Sequence, residues 1–195
     1  MKNRQRSSCS SGQSLVEFAL VLPLILVLVL GVVEVGYALL DAHVVTKLTR
    51  EGSNLISRDT TLQDAASAMR SMSSRPVNFS DGSSKLIFSV IKRGATTGTG
   101  NYNKDILYQR YEVGSLSAQS ALTTRGTGSF GTAPEYQAAN ADTDTNLQLT
   151  NLPANMMVAG GMVYVTEIYT RHVLITPLDR FGITVPQVLY SIAYF

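Results

Sequence analysis

Hydrophobic positions along the chain follow three patterns. The first is an unbroken run. Residues 18–33 (FALVLPLILVLVLGVV) carry no charge, and fourteen of the sixteen are apolar. Phe18 opens the run, Val33 closes it, and Pro23 and Gly31 are its exceptions. Residues 35–40 extend it with a Gly and a Tyr among further apolar side chains. Glu17 and Glu34 bracket it. On a helix they lie roughly 26 Å apart at 1.5 Å per residue, against a hydrocarbon core about 30 Å thick. The pattern predicts a membrane-crossing helix with one carboxylate near each interface.

The second pattern has a period of three to four. Tyr37, Leu40, Val44, Leu48, Leu55 and Ile56 recur at helical spacing, while His43, Lys47, Arg50 and Glu51 fall mostly elsewhere. The helix is therefore expected to continue past the membrane with this stripe against a partner surface, the chain's own sheet or neighbouring helices. Gly52 lowers helix propensity by about 1 kcal/mol, so a bend or end is expected between Gly52 and Ser57. A second helix is predicted over 61–72, capped by Thr60 or Thr61, with Asp64 in its first turn and Arg75-Pro76 beyond its end.

The third pattern is alternation. It predicts strands over 85–92 (KLIFSVIK), 105–113 (DILYQRYEV), 161–175 with a bend near Arg171, and 187–195 (QVLYSIAYF). In the first, Leu86, Phe88 and Val90 share a face. Residues 94–104, rich in Gly and Thr, read as a hairpin connection with a flexible tip. Residues 114–160 are rich in Ser, Thr, Ala, Asn and Gly and exceed an ordinary loop, which points to function or mobility. Within them 146–152 (NLQLTNL) alternates and reads as a short extra strand. The expected fold class is α+β: a long N-terminal helix leading to an antiparallel sheet of about four strands.

Charge changes the picture at one end. Lys and Arg number 16 against 14 Asp and Glu, a formal +2. Lys2, Arg4 and Arg6 stand in residues 1–12 without an acid. Basic residues beside an apolar span keep that side in the cytoplasm, so the chain beyond about Asp41 is expected outside it. Without residues 1–12 the count is 13 basic against 14 acidic side chains. Charged residues are 15% of the chain and apolar ones 45%. Few, scattered basic residues speak against nucleic-acid binding.

The remaining chemistry is sparse. Cys9 is the single Cys and has no lipobox before it. His43 reads as a polar-face residue and His172 as a structural strand residue. Asp142, Asp144 and Asn146 resemble the start of a calcium loop, but Leu147 and Pro153 stand where the Gly and the acid are needed. GATTGTG lacks the Lys of a phosphate-binding loop. No catalytic residue, metal ligand set or cofactor is expected, and the chain does not read as an enzyme.

Three readings of the N-terminal segment compete. It is a cleaved secretory signal, a plain signal anchor holding a binding module outside, or a segment in which Glu17 has a task. An acid in a membrane helix is a functional candidate by default, and its bland alternative is snorkelling to the interface. Gly12-Gln13-Ser14-Leu15-Val16-Glu17-Phe18 resembles the processing site of prepilins, where a basic leader ends in Gly, an acid stands fifth after the cut, and an aromatic follows in the Flp/Tad branch. The wider segment is similar to TadE-like proteins, the pseudopilins or minor pilins of the Tad (type IVc) pilus. Their G-x-x-x-V-E-F-A-L-V-x-P start is matched by Gly12, Val16, Glu17, Phe18, Ala19, Leu20, Val21 and Pro23. Their R-E-G-[AS] motif is matched by Arg50, Glu51, Gly52 and Ser53. A looser likeness to their E-[VI]-x-Y…P-L pattern rests on Glu167, Ile168, Tyr169, Pro177 and Leu178.

That resemblance implies a pilin-like fold and cleavage between Gly12 and Gln13 by a prepilin peptidase. It implies pairing of Glu17 with a neighbour's N-terminal amine during assembly. Implied partners are the lipid bilayer, other Tad pilus subunits and the inner-membrane Tad secretion platform. The implied role is assembly of an adhesive pilus. The expected division is a leader over 1–12, a membrane and assembly helix over 13–40, an extracytoplasmic helical segment over 41–75 and a β-rich head over 76–195.

Overall fold

The computed structural model describes residues 10–152, 157–182 and 186–195. Helix α1 spans Ser10–Ile56 and α2 spans Leu62–Met72. Four strands follow: β1 Ser84–Arg93, β2 Asp105–Val113, β3 Met162–Arg171 and β4 Val188–Tyr194. They form one antiparallel sheet in the order β2-β1-β3-β4. The fold is α+β, a long apolar helix followed by a four-stranded antiparallel sheet.

The chain divides into two compact units. The first joins α1 up to Leu39 with the segment starting at Leu174. Here α1 runs unbroken through Pro23, and its side chains from Leu15 onward are mostly exposed: Leu15 by 70%, Leu24 by 69%. Exposed apolar surface on this scale has no place in water. By length and composition the helix can cross a membrane.

The second unit holds the rest of α1, α2 and the sheet. Its helical stripe differs from the one predicted. Val45, Leu48, Thr49, Gly52, Ser53 and Ile56 are buried, whereas Tyr37 and Leu40 are exposed. The spacing is helical, but half of the buried positions are small or polar, and a count of apolar side chains passes over them. The Thr49 hydroxyl donates to the Val45 carbonyl, and that of Ser53 to the Ala193 carbonyl on β4. α1 ends at Ile56, between Gly52 and Ser57 as expected. α2 starts as expected: the Thr61 side chain accepts the Asp64 N–H at 3.1 Å, a cap typically worth about 1 kcal/mol.

β1 is buried on both faces from Leu86 to Ile91. One face carries Leu86, Phe88 and Val90 against Val45, Leu48, Ile56, Leu62 and Met69 of the helices. Against the other lie Leu122, Leu149, Leu152 and Met157, grouped with Ile91 and Val165. These come from residues 114–160. The described part of the segment is thus a packed second layer held to the sheet, not an open loop. The Leu149 N–H donates to the Asp105 carbonyl at 2.9 Å, and that of Ala138 to Tyr108 at 2.8 Å. Both bonds cover the outer edge of β2, a place where an open strand invites other chains.

The extra strand expected over 146–152 is instead a 3-10 turn, Thr145–Leu147, followed by single bridges at Gln148 and Leu149. Asp144 caps that turn by accepting the Asn146 N–H at 3.0 Å. The hairpin tip between β1 and β2 is fastened here as well. Asn101 is fully buried, and its amide donates to the carbonyls of Ala141 (2.7 Å) and Asp144 (2.8 Å). Asp142 accepts the Thr96 hydroxyl at 3.0 Å. The would-be calcium residues therefore clasp a hairpin; Pro153 lies outside the described residues. β3 ends at Arg171 rather than bending there.

Candidate processing and assembly site

Gly12, Gln13, Glu17 and Phe18 all lie on the first turns of α1. A Cβ added at Gly12 would meet nothing within 4 Å, and Phe18 is 62% exposed. Gln13 donates from Nε2 to Glu17 Oε1 at 3.0 Å, one helical turn along the same face. The residue that would become the new N-terminus therefore already lies beside the acid. Pro23 and Val33 follow on the same helix, Val33 41% exposed. Lys2, Arg4, Arg6 and Cys9 lie outside the described residues.

Glu34 departs from its expected place as an open carboxylate at the second interface. It is 1% exposed, and its oxygens accept the N–H groups of Ile175 and Thr176. They also accept the Thr176 hydroxyl at 2.6 Å. Those donors lie 141 and 142 residues away in sequence, so no local pattern points to them.

Residues 12–54 match the family model of TadE-like proteins. The match takes in the Gly12, Glu17, Phe18 and Pro23 motif and the Arg50-Glu51-Gly52-Ser53 motif, and ends before α2. The looser likeness around Glu167 lies beyond it. No curated protein and no solved structure matches the chain. TadE-like proteins belong to Tad pilus systems, and theirs is not an enzyme family. The single apolar helix within it is the kind that serves as a single-pass membrane anchor.

The geometry explains the second TadE-like motif residue by residue. Arg50 and Glu51 face solvent. Gly52 and Ser53 face the sheet. A Cβ on Gly52 would stand 2.8 Å from Thr166 Cγ2 and 3.2 Å from Phe88 Cε1. Helix and sheet approach closely enough there that any side chain would force Thr166 or Phe88 to shift.

Beyond the TadE-like segment, a polar cluster on the sheet turns Glu167 into a structural hub. This fully buried carboxylate accepts the Ala121 N–H at 2.7 Å and the Tyr169 and Tyr190 hydroxyls at 3.2 and 3.3 Å. The Ser120 hydroxyl donates to it too, and Arg110 donates to Ser120 at 2.6 Å. Burial pulls Arg110 below its usual range, with Glu112 and Glu167 opposing. Burial, then the charge of Glu167, pushes the Tyr169 phenol up to about 12. Tyr190, stacked on Tyr169 with ring centres 4.6 Å apart, is raised for the same reasons.

The pH dependence follows from that direction. A phenol whose folded pKa exceeds its unfolded value near 10 favours folding fully below pH 10. That contribution is lost as pH rises through about 12. The melting temperature of the sheet unit should therefore fall between these values. In Tyr169→Phe the fall should be shallower; an unchanged pH profile in that variant would contradict the assignment.

Elsewhere the head shows little reactive chemistry. His172 is buried, with Nδ1 2.9 Å from Asp41 Oδ2, a structural tie between α1 and the end of β3. His43 is exposed, as read. A groove of about 520 Å³ is lined by residues including Asp41, Arg75, Asp81 and Arg171. Among the described residues no three His, Cys, Asp or Glu side chains converge as a metal site needs.

Proposed function

We propose that the chain is a TadE-like pseudopilin, a minor pilin acting in assembly of an adhesive Tad (type IVc) pilus. The observation that carries this reading is the exposed Glu17, paired one turn from Gln13 at the foot of a bare apolar helix. A prepilin peptidase cuts the leader between Gly12 and Gln13. Gly12 is a natural place for the helix to open, since Gly costs about 1 kcal/mol in a helix and nothing packs on it. The new α-amine of Gln13, mostly protonated near neutral pH, stands within reach of carboxylates such as Glu17. In an apolar bundle an amine and an acid are each costly alone and tolerable together, so Glu17 pairs with the N-terminus of a neighbouring subunit.

In this reading residues 1–12 are a cytoplasmic leader and 13–40 the membrane and assembly helix. Residues 41–75 and 76–195 form the extracytoplasmic part. The protein resides in the bacterial inner membrane beside the Tad secretion platform until it joins other pilus subunits. Mass spectrometry of the mature N-terminus tests the reading. A chain starting at Gln13 is expected; one starting at Met1, or cut beyond residue 33, would overturn it. An intact N-terminus would favour a signal-anchored binding module whose residues 114–160 recognise a ligand. Glu17→Ala should remain in the membrane yet reduce piliation, and full piliation would leave Glu17 a snorkelling carboxylate.

A further inference from the structure

We infer that residues 174–182, on the connection between β3 and β4, are a second membrane contact. Glu34 holds them against α1 inside the leaflet at the Leu40 end of the span. The partner is lipid at the boundary between acyl chains and headgroups. The inference rests on α1 crossing a bilayer.

The first observation is where Glu34 lies. Apolar helix surface does not stop at this residue. Val35 is 55% and Leu39 67% exposed on the following turn. From Leu15 to Leu40 the apolar stretch measures roughly 39 Å at 1.5 Å per residue, longer than a hydrocarbon core of about 30 Å. Glu34 lies roughly 9 Å short of its end. It is an acid inside the apolar stretch, not the mark of its boundary.

The second observation is how the acid is kept there. A carboxylate in a nonpolar medium is tolerable only when its oxygens are satisfied. Among its donors are the Ile175 N–H at 3.2 Å, the Thr176 N–H at 2.9 Å and the Thr176 hydroxyl at 2.6 Å. The benefit is mutual. Irregular backbone survives at membrane depth only where protein or enclosed water, not lipid, meets its polar groups. The acid thus removes two amide donors that lipid could not satisfy.

The third observation is coverage. Val27, Leu30, Gly31 and Ala38 are partly covered and share the helical face of Glu34, at spacings of three, four and seven residues. Val32, Val33, Val35 and Leu39 on the other faces are exposed. The chain that shares this unit with the helix is the segment from Leu174. Its own outer surface suits the same medium. Ile175 is 48% exposed and Pro177 is exposed. Charge returns only at Asp179 and Arg180, both exposed and able to reach headgroups.

The test uses the full chain in nanodiscs of phosphatidylcholine and phosphatidylglycerol, with Cys9→Ser as background. A nitroxide is attached in turn at Ile175→Cys, at Leu26→Cys within the span, and at Lys104→Cys on the sheet unit. Power saturation then compares accessibility to oxygen, which enriches in lipid, with a water-soluble nickel chelate. The Ile175 label should favour oxygen, as the Leu26 label does. Adding Glu34→Ala, or separately Thr176→Val, should shift the Ile175 label toward the Lys104 value. If Leu26 reports lipid while Ile175 reports water, the second contact is wrong and the span stands. Should Leu26 report water, the membrane reading fails and this inference with it. An Ile175 label that stays in lipid in both variants would remove Glu34 from its role.

Discussion

Gly52→Val should destabilise the sheet unit by about 3 kcal/mol, the upper part of the usual range for overpacking. The substituted Cβ would stand 2.8 Å from Thr166 Cγ2, 3.1 Å from Thr166 Oγ1 and 3.2 Å from Phe88 Cε1. None of these is the loose end of an exposed side chain. Phe88 and Thr166 are both fully buried on adjacent strands, so neither has room to turn aside. The branched side chain adds two methyl groups to that clash. Replacing Gly also improves helix propensity, by at most about 1 kcal/mol, which cannot offset it. Gly52→Ala, with the same Cβ and nothing more, should lose less. Denaturant unfolding of the detergent-solubilised protein measures both. Membrane insertion should be unchanged, because the span lies several turns away. A Gly52→Val protein as stable as the parent would mean that helix and sheet are not in contact there.

Glu167→Ala should lower stability by a similar or larger amount, about 3–5 kcal/mol, the range for removing one partner of a buried charged network. The carboxylate gathers the Ser120 hydroxyl, the Ala121 N–H and two tyrosine hydroxyls. Removing it leaves these donors short of an acceptor and leaves the buried Arg110 without one of its two compensating acids. The damage should centre on residues 114–125, which the cluster pins to β2 and β3. Hydrogen exchange of the Ala121 amide gives the local readout and should accelerate sharply. Glu167→Gln keeps an acceptor and the side-chain volume, so it should lose less. If Glu167→Ala left Ala121 as protected as before, the cluster would not be what holds the segment.

Much of the secondary structure can be read from the chain because its causes are local. β2 occupies the predicted residues 105–113. α2 follows Thr61, whose side chain takes the first free amide. The N-terminal motif is legible for a similar reason, since Gly12, Gln13, Glu17 and Phe18 fall within two turns. Residues 114–160 were not legible. Their Ser, Thr and Asn composition resembles that of a mobile loop. What orders them is a set of distant single bonds, such as Asn101 to Asp144 and Glu167 to Ala121.

The sequence alone determined the apolar span, the acid and glycine at its foot, the cap of α2 and the alternation of the strands. These follow from hydropathy and from side chains a few positions apart. Tertiary structure alone decided that β1 is buried on both faces, that Gly52 is a point of contact and that Glu167 is a hub. It also decided that Glu34 is enclosed. In each case the partner lies far along the chain, up to 142 positions for Glu34 and Thr176. A carboxylate's surroundings depend on which donors the fold brings to it, and spacing along the chain does not encode them.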